Sequence, residues 1–345
     1  MKAIIMLSLL SFMPAMAAVV EAAEPPTEWR VYIGTYTGGP SEGIYQLRQN
    51  AETGEIENLG LAGAVDNPSF LALHPSLPVI YSVGQVLDTD EVRKGMVCAF
   101  AIEPDDGGLT PLNRQSTVGE GPCHVAVDPA GRNVLVANYS GGSIAAFPLE
   151  EDGRLREAAS VMQHEGSSVH PQRQQRAYAH AVTLDAAGRF VFAADLGIDK
   201  IMIYRLDETR GLLEANDPPF ATLAPGAGPR HFTFHPTGRF AYVVNELDNT
   251  VTAFGYDPAK GRLETIQTMG TLPEGFKEEN TTAEIRVHPS GRFLYASNRG
   301  HDSIACFAID VENGRMTALG QTPTLGQTPR NFNLTPDGRF LLAAN

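Results

Sequence analysis

Residues 229–245 read PRHFTFHPTGRFAYVVN. Two alternating apolar runs flank the turn His-Pro-Thr-Gly, whose Pro and Gly interrupt strand pairing, so the stretch reads as a β-hairpin. The same phrase recurs as PSFLALHPSLPVIYSVG from Pro68, PCHVAVDPAGRNVLVAN from Pro122, AHAVTLDAAGRFVFAAD from Ala179, TAEIRVHPSGRFLYASN from Thr282 and PRNFNLTPDGRFLLAAN from Pro329. Taking the turn residue as origin, His74, Asp128, Asp185, His235, His288 and Thr335 are spaced by 54, 57, 50, 53 and 47 residues. That period belongs to a propeller blade.

A third strand follows each hairpin, as at 143–148, 200–206, 250–256 and 303–309. A turn of the type seen at 257–263 then leads into a weaker fourth strand. Four antiparallel strands in one repeat cannot bury themselves, but stacked blades cover one another's apolar faces. The opening segments 31–36, 43–48 and 51–57 match the later strands of a blade and lack its first. The expectation is an all-β, seven-bladed β-propeller. The phrase ending at Asn345 stops after a second strand, so roughly 30–40 residues of a repeat are expected to be absent, leaving the last blade and the ring closure incomplete.

Composition agrees, with 43% hydrophobic residues for a core and 34 Gly and 24 Pro for turns. A net charge of −14 argues against nucleic acid or an anionic membrane as partner, and an anionic small substrate would need local basic residues. Lys2, the apolar run 3–20 and the small pair Ala22–Ala23 read as a signal peptide over 1–23, ahead of one propeller domain over 24–345. This predicts a periplasmic or secreted protein. The run barely reaches spanning length, so stable membrane insertion is not expected. Cys98, Cys123 and Cys306 are odd in number and lack Cys-x-x-Cys spacing, which indicates neither a disulfide framework nor zinc. Nucleophile-elbow, zinc-protease, EF-hand and phosphate-loop motifs are also missing, and neither metal nor cofactor is expected.

Because side chains alternate along a strand, equivalent positions of the phrases should cluster. Positions three and one before the turn are apolar in every copy and read as packing. Four and five before it stand Ser69-Phe70, Cys123-His124, His180, Arg230-His231, Ala283-Glu284 and Arg330-Asn331. The antiparallel second strand ends beside them with Asn138-Tyr139, Asp195-Leu196, Asn245-Glu246, Asn298-Arg299 and Asn345. Both columns should face one mouth of the disc and form a polar small-molecule pocket. The Asn and Asp of the second column, the turn residues His235 and His288, and the Arg of each Gly-Arg pair (Arg132, Arg189, Arg239, Arg292, Arg339) read as scaffold. Arg230, His231, Glu246, Glu284 and Arg299 vary between blades on a fixed frame, which points to function.

The motifs Tyr32-Ile33-Gly34-Thr35-Tyr36, Gly166-Ser167-Ser168, Ala194-Asp195-Leu196-Gly197, Gly228-Pro229-Arg230-His231, Asn245-Glu246 and Ser297-Asn298-Arg299-Gly300-His301-Asp302 together resemble the lactonase family of seven-bladed propellers. That family includes bacterial 6-phosphogluconolactonases and the fungal carboxy-muconate lactonizing enzyme. The likeness covers essentially the whole chain after the signal peptide. It implies a metal-independent carboxylic-ester hydrolase acting on an anionic or sugar lactone, chiefly 6-phosphogluconolactone, with His180, Arg230, Glu246 and Arg299 as catalytic residues. Glu246 or His180 would activate water as general base, while Arg230 and Arg299 would bind the anion and stabilise the oxyanion. His124, His231, Glu284 and Arg330 would contact substrate, and the protein would act as a monomer. Relatives commonly carry His-x-His where this chain has Tyr178-Ala179-His180. Two other readings are a muconate-type lactonizing enzyme and a non-catalytic binding propeller.

Overall fold

The repeated phrase folds as the hairpin it predicts. In the computed structural model, which describes residues 26–87 and 93–345, Pro229–Phe234 pairs antiparallel with Phe240–Asn245, His231 opposite Val244 and Phe234 opposite Ala241. The signal-peptide region 1–23 lies outside the described residues. The turn residues close these hairpins. Asp128 Oδ1 accepts the N–H groups of Arg132 and Asn133, and Asp185 Oδ1 those of Arg189 and Phe190. His235 accepts the Thr237 N–H at Nδ1, which leaves its Nε2–H to reach the Gly291 carbonyl oxygen at 2.7 Å. These are turn roles.

Every regular element among the described residues is a β-strand, and the strands form seven antiparallel sheets in chain order. Sheet 1 (28–64) has three strands, sheets 2 to 6 (71–116, 122–163, 179–222, 229–270 and 281–323) have four each, and sheet 7 (331–344) has two. No helix among them is long and apolar enough to cross a membrane.

The core sits between sheets, as blade stacking requires. One buried cluster joins Phe192 and Ile203 of sheet 4 to Phe232, Val243 and Phe254 of sheet 5; another joins Tyr242 and Val251 of sheet 5 to Leu294 and Phe307 of sheet 6. Similar clusters join sheets 1 and 2, 2 and 3, and 3 and 4. Polar pegs reinforce this apolar stacking. The Arg of Gly-Arg reaches the outer turn of the following sheet: Arg132 pairs with Glu208 at 3.1 Å, Arg189 donates to the Pro258 carbonyl at 2.6 Å, and Arg239 to the Glu312 carbonyl at 2.9 Å. His288 of sheet 6 reaches the Gly338 carbonyl of sheet 7 at 3.0 Å.

Sheets 7 and 1 meet where the two ends of the described chain come together. Sheet 7 has two strands, yet Arg339 donates to the carbonyls of Ala51 and Glu52 at 3.0 and 3.1 Å, so sheet 7 holds the outer turn of sheet 1 as the other sheets hold their successors. Side-chain pegs thus join sheets 7 and 1. Gly54 lies in that turn with φ +78°, and a Cβ there would come within 2.4 Å of the Phe340 ring. Gly54→Ala should therefore destabilise by about 1–3 kcal/mol, from left-handed strain and overpacking. Urea unfolding would show it, and an unchanged midpoint would mean that sheets 7 and 1 do not meet in solution.

Candidate active site

The inner strands begin with a slip in register. Pairing with the second strand shifts between Pro122 and His124, Ala179 and Ala181, Pro229 and His231, and Thr282 and Ile285. Such a bulge inserts an extra residue and re-aims side chains. Strict alternation would send Arg230 and His231 to opposite faces, but with the bulge Arg230 Nη1 lies 3.2 Å from His231 Nε2. The same irregularity recurs at the start of the inner strand in four neighbouring sheets, and in sheet 5 it brings successive side chains together.

At one mouth of the ring these strand ends surround a cavity of about 420 Å³, within the range of small-molecule sites. Of the residues singled out in the sequence, His180, Glu246, Arg299 and Arg330 face the cavity. Arg230, His124, His231 and Glu284 are absent from its wall. Arg230 is only 2% exposed and packs behind Glu246, because its guanidinium is drawn inward to the Ala283 carbonyl, 2.6 Å from Nη1, and to Glu246. Arg230, His124, His231 and Glu284 thus lie behind the residues that line the cavity.

Glu246 is the centre of the arrangement. Its Oε2 lies 2.9 Å from Arg230 Nε and 3.0 Å from Arg299 Nη2, and its Oε1 accepts from Arg173 Nη2 at 2.5 Å. Burial opposes ionisation, but the three guanidinium groups outweigh it and hold the carboxyl down at about 2. The same burial lowers Arg230 to about 10 against the pull of Glu246. Glu246 is therefore a fixed anion. His180 is buried, and desolvation together with Arg230, His231 and Arg330 pushes its imidazole well below the usual histidine value, so it stays neutral.

Behind them lies a second buried group. His231 Nδ1 is 3.1 Å from Glu284 Oε1, while its Nε2 faces Arg230. Glu284 also accepts from the Ile285 N–H at 2.9 Å and from Asn331 Nδ2 at 2.5 Å. Burial, against the pull of Glu284, sets His231 at about 4; its Nδ1–H donates to Glu284 and its Nε2 accepts from Arg230. This chain of contacts orients Arg230 from below. The second-strand column is scaffold as read: Asn298 Nδ2 donates to the Thr271 carbonyl, and Asp195 accepts from the Tyr178 and Gly197 N–H groups and from buried His164.

Sequence reasoning missed Arg173 and Asp199. Arg173 lies in the loop 164–178 between sheets 3 and 4, outside every repeated phrase. The signal was the longest turn-to-turn spacing, 57 residues, since an insertion into a repeat commonly carries function. Asp199, 3% exposed, anchors the loop: its carboxylate accepts from Ser168 Oγ at 2.5 Å and Gln174 Nε2 at 2.7 Å, and from the Gly226 and Gly228 N–H groups at 2.7 Å each. One carboxylate therefore ties the Arg173 loop to the turn that delivers Arg230. Among the described residues no three His, Cys, Asp or Glu converge as a metal would require.

Chemically, the cavity offers a neutral imidazole, a fixed carboxylate and several guanidinium donors, the equipment for a substrate that carries or develops negative charge. Comparison with known proteins points the same way. Residues 30–345 match the sequence model of the family described as "Lactonase, 7-bladed beta-propeller". A 6-phosphogluconolactonase of Bacillus subtilis is 38% identical over 319 residues, 92% of this chain and 88% of that protein. One from Formosa agariphila is 33% identical over 91% of this chain and 89% of its own length. The structure of a periplasmic gluconolactonase from Pseudomonas aeruginosa superposes with a TM-score of 0.86 at 33% identity, covering 92% of this chain and 89% of that one.

Proposed function

The chain belongs to the lactonase family of seven-bladed β-propellers, and we propose that it hydrolyses 6-phosphogluconolactone to 6-phosphogluconate. The observation that carries this reading is the charge of the cavity. Arg173, Arg299 and Arg330 face it against the single carboxylate of Glu246, in a protein whose net charge is −14. Such a local excess of positive charge suits a phosphorylated sugar lactone and offers a neutral one less. The names of the relatives from Bacillus subtilis and Formosa agariphila support the same substrate.

In this mechanism water attacks the lactone carbonyl, the ring C–O bond breaks, and the ring oxygen leaves as the hydroxyl of the open acid. His180, neutral and facing the cavity, takes the proton from water and returns it to the ring oxygen. Glu246 holds the guanidinium groups in place, and Arg299 donates to the oxyanion that develops on the carbonyl oxygen. The seven sheets are read as seven blades, sheets 1 and 7 having fewer than four strands. The pattern of residues 1–23 supports export, as does the likeness to a periplasmic gluconolactonase.

The test is proton release from freshly prepared 6-phosphogluconolactone and plain gluconolactone, followed as kcat/KM against pH. Acceleration above the uncatalysed rate, greater for the phosphorylated lactone, is expected. Because neutral His180 is the active form and its pKa lies well below 6.5, activity should hold as pH falls through 6.5 and decline only below it. An acid limb centred at 6.5 or higher would remove His180 as the base. No acceleration of either lactone by folded protein would remove the function.

A further inference from the structure

The geometry points to Arg173 as the residue that recognises the phosphate: its guanidinium rests on Glu246 in the free protein and transfers to the phosphate of the bound lactone, with Arg330 completing the subsite. The inference rests on the lactonase reading above and adds a place for the charged end of the substrate.

Glu246 Oε2 already lies between Arg230 and Arg299, at 2.9 and 3.0 Å, so the carboxylate keeps two counter-charges without Arg173. The third guanidinium is surplus to the fold. Its surroundings also differ from those of the other two. Arg230 and Arg299 sit on strands with side chains 2% and 12% exposed, whereas Arg173 comes from a loop with its side chain 38% exposed. Moving the head group of a half-exposed arginine between two anions costs little desolvation, which is not true of a buried one.

The loop backbone, by contrast, is fixed at both sides of Arg173. His170 Nδ1 accepts the Arg173 N–H at 3.1 Å, and Gln174 is held by Asp199 and the Leu196 carbonyl at 2.7 and 2.9 Å. A free head group on an anchored stem is a pre-organised anion receptor. Tyr139 Oη, 3.4 Å from the same Nη2, lines the cavity beside it. In the same cavity wall, Arg330 stacks over Tyr36 at 5.7 Å and forms no ion pair among the described residues. Two guanidinium groups with forked donors suit a phosphate monoester. The lactone ring would then lie toward His180 and Arg299.

The experiment compares wild type, Arg173→Ala and Arg173→Lys with both lactones, and measures binding of 6-phosphogluconate and gluconate by calorimetry. Loss of a charge-assisted bond should lower the ratio of kcat/KM for phosphorylated over plain lactone by about 10- to 100-fold in Arg173→Ala, mainly through KM. Arg173→Lys should recover part of it. A role confined to fixing Glu246 would depress both lactones alike and leave the ratio unchanged, which would overturn the proposal. So would a wild-type enzyme that prefers plain gluconolactone. If wild type hydrolyses neither lactone, the functional reading fails and calorimetry decides the subsite. Binding of 6-phosphogluconate but not gluconate, lost in Arg173→Ala, upholds the subsite, and its absence overturns it.

Discussion

Glu246→Gln is expected to lower kcat/KM for lactone hydrolysis by about two to three orders of magnitude and to destabilise the fold at the same time. The double effect follows from what the carboxylate holds together. Arg230, Arg299 and Arg173 converge on it, and Arg230 is 2% exposed. A neutral amide fills the same space but leaves these cations facing one another, and Arg230 cannot turn to water. Breaking one partner of a buried ion pair commonly costs about 3–5 kcal/mol. The catalytic loss comes from displaced guanidinium groups, since donors aimed at an oxyanion lose most of their value when they move. Thermal unfolding and steady-state kinetics on one preparation would read both effects. A fully active, equally stable variant would show that Glu246 is neither counter-ion nor catalyst.

The second large effect belongs to Arg299. Unlike Arg230 it faces the cavity, with Nη2 held 2.8 Å from the Thr282 carbonyl and 3.0 Å from Glu246. A donor fixed at two points cannot drift as charge builds on the substrate carbonyl, which is the condition for oxyanion stabilisation. Arg299→Ala should lower kcat by about a hundredfold or more. Its effect on stability should be smaller than that of Glu246→Gln, because Glu246 keeps Arg230 and Arg173. Arg299→Lys retains the charge without the fork and should fall between. A change confined to KM, with kcat intact, would assign Arg299 to substrate binding alone.

The repeat made the architecture legible. A phrase written six times, with its turn residue at a regular spacing, gives the strand order, the hairpins and the face on which polar columns gather. His180, Glu246, Arg299 and Arg330 were found this way and do converge. Depth was not legible: alternation tells which face a residue points to, and a bulge, which no single residue type announces, re-aims Arg230 toward the axis behind Glu246. Arg173 escaped because repeat logic is blind to segments that do not repeat, and its partner is 73 residues away. The contact between sheets 7 and 1 was not legible either, because it is made by Arg339 on two backbone carbonyls of a turn 288 residues earlier, which no position of the repeat announces.

The pegs between sheets also impose an order on synthesis. Arg132, Arg189, Arg239 and His288 each belong to an earlier sheet and wait for a target in the next, so each newly made blade can dock on its predecessor as it emerges. The seam at Ala51 and Glu52 runs the other way. There the target is made first, and the arginine that secures it, Arg339, is made 288 residues after Ala51. Until Arg339 is made the first sheet keeps one flank uncovered, and a nascent chain halted before it carries an open flank for chaperones or for other chains to meet.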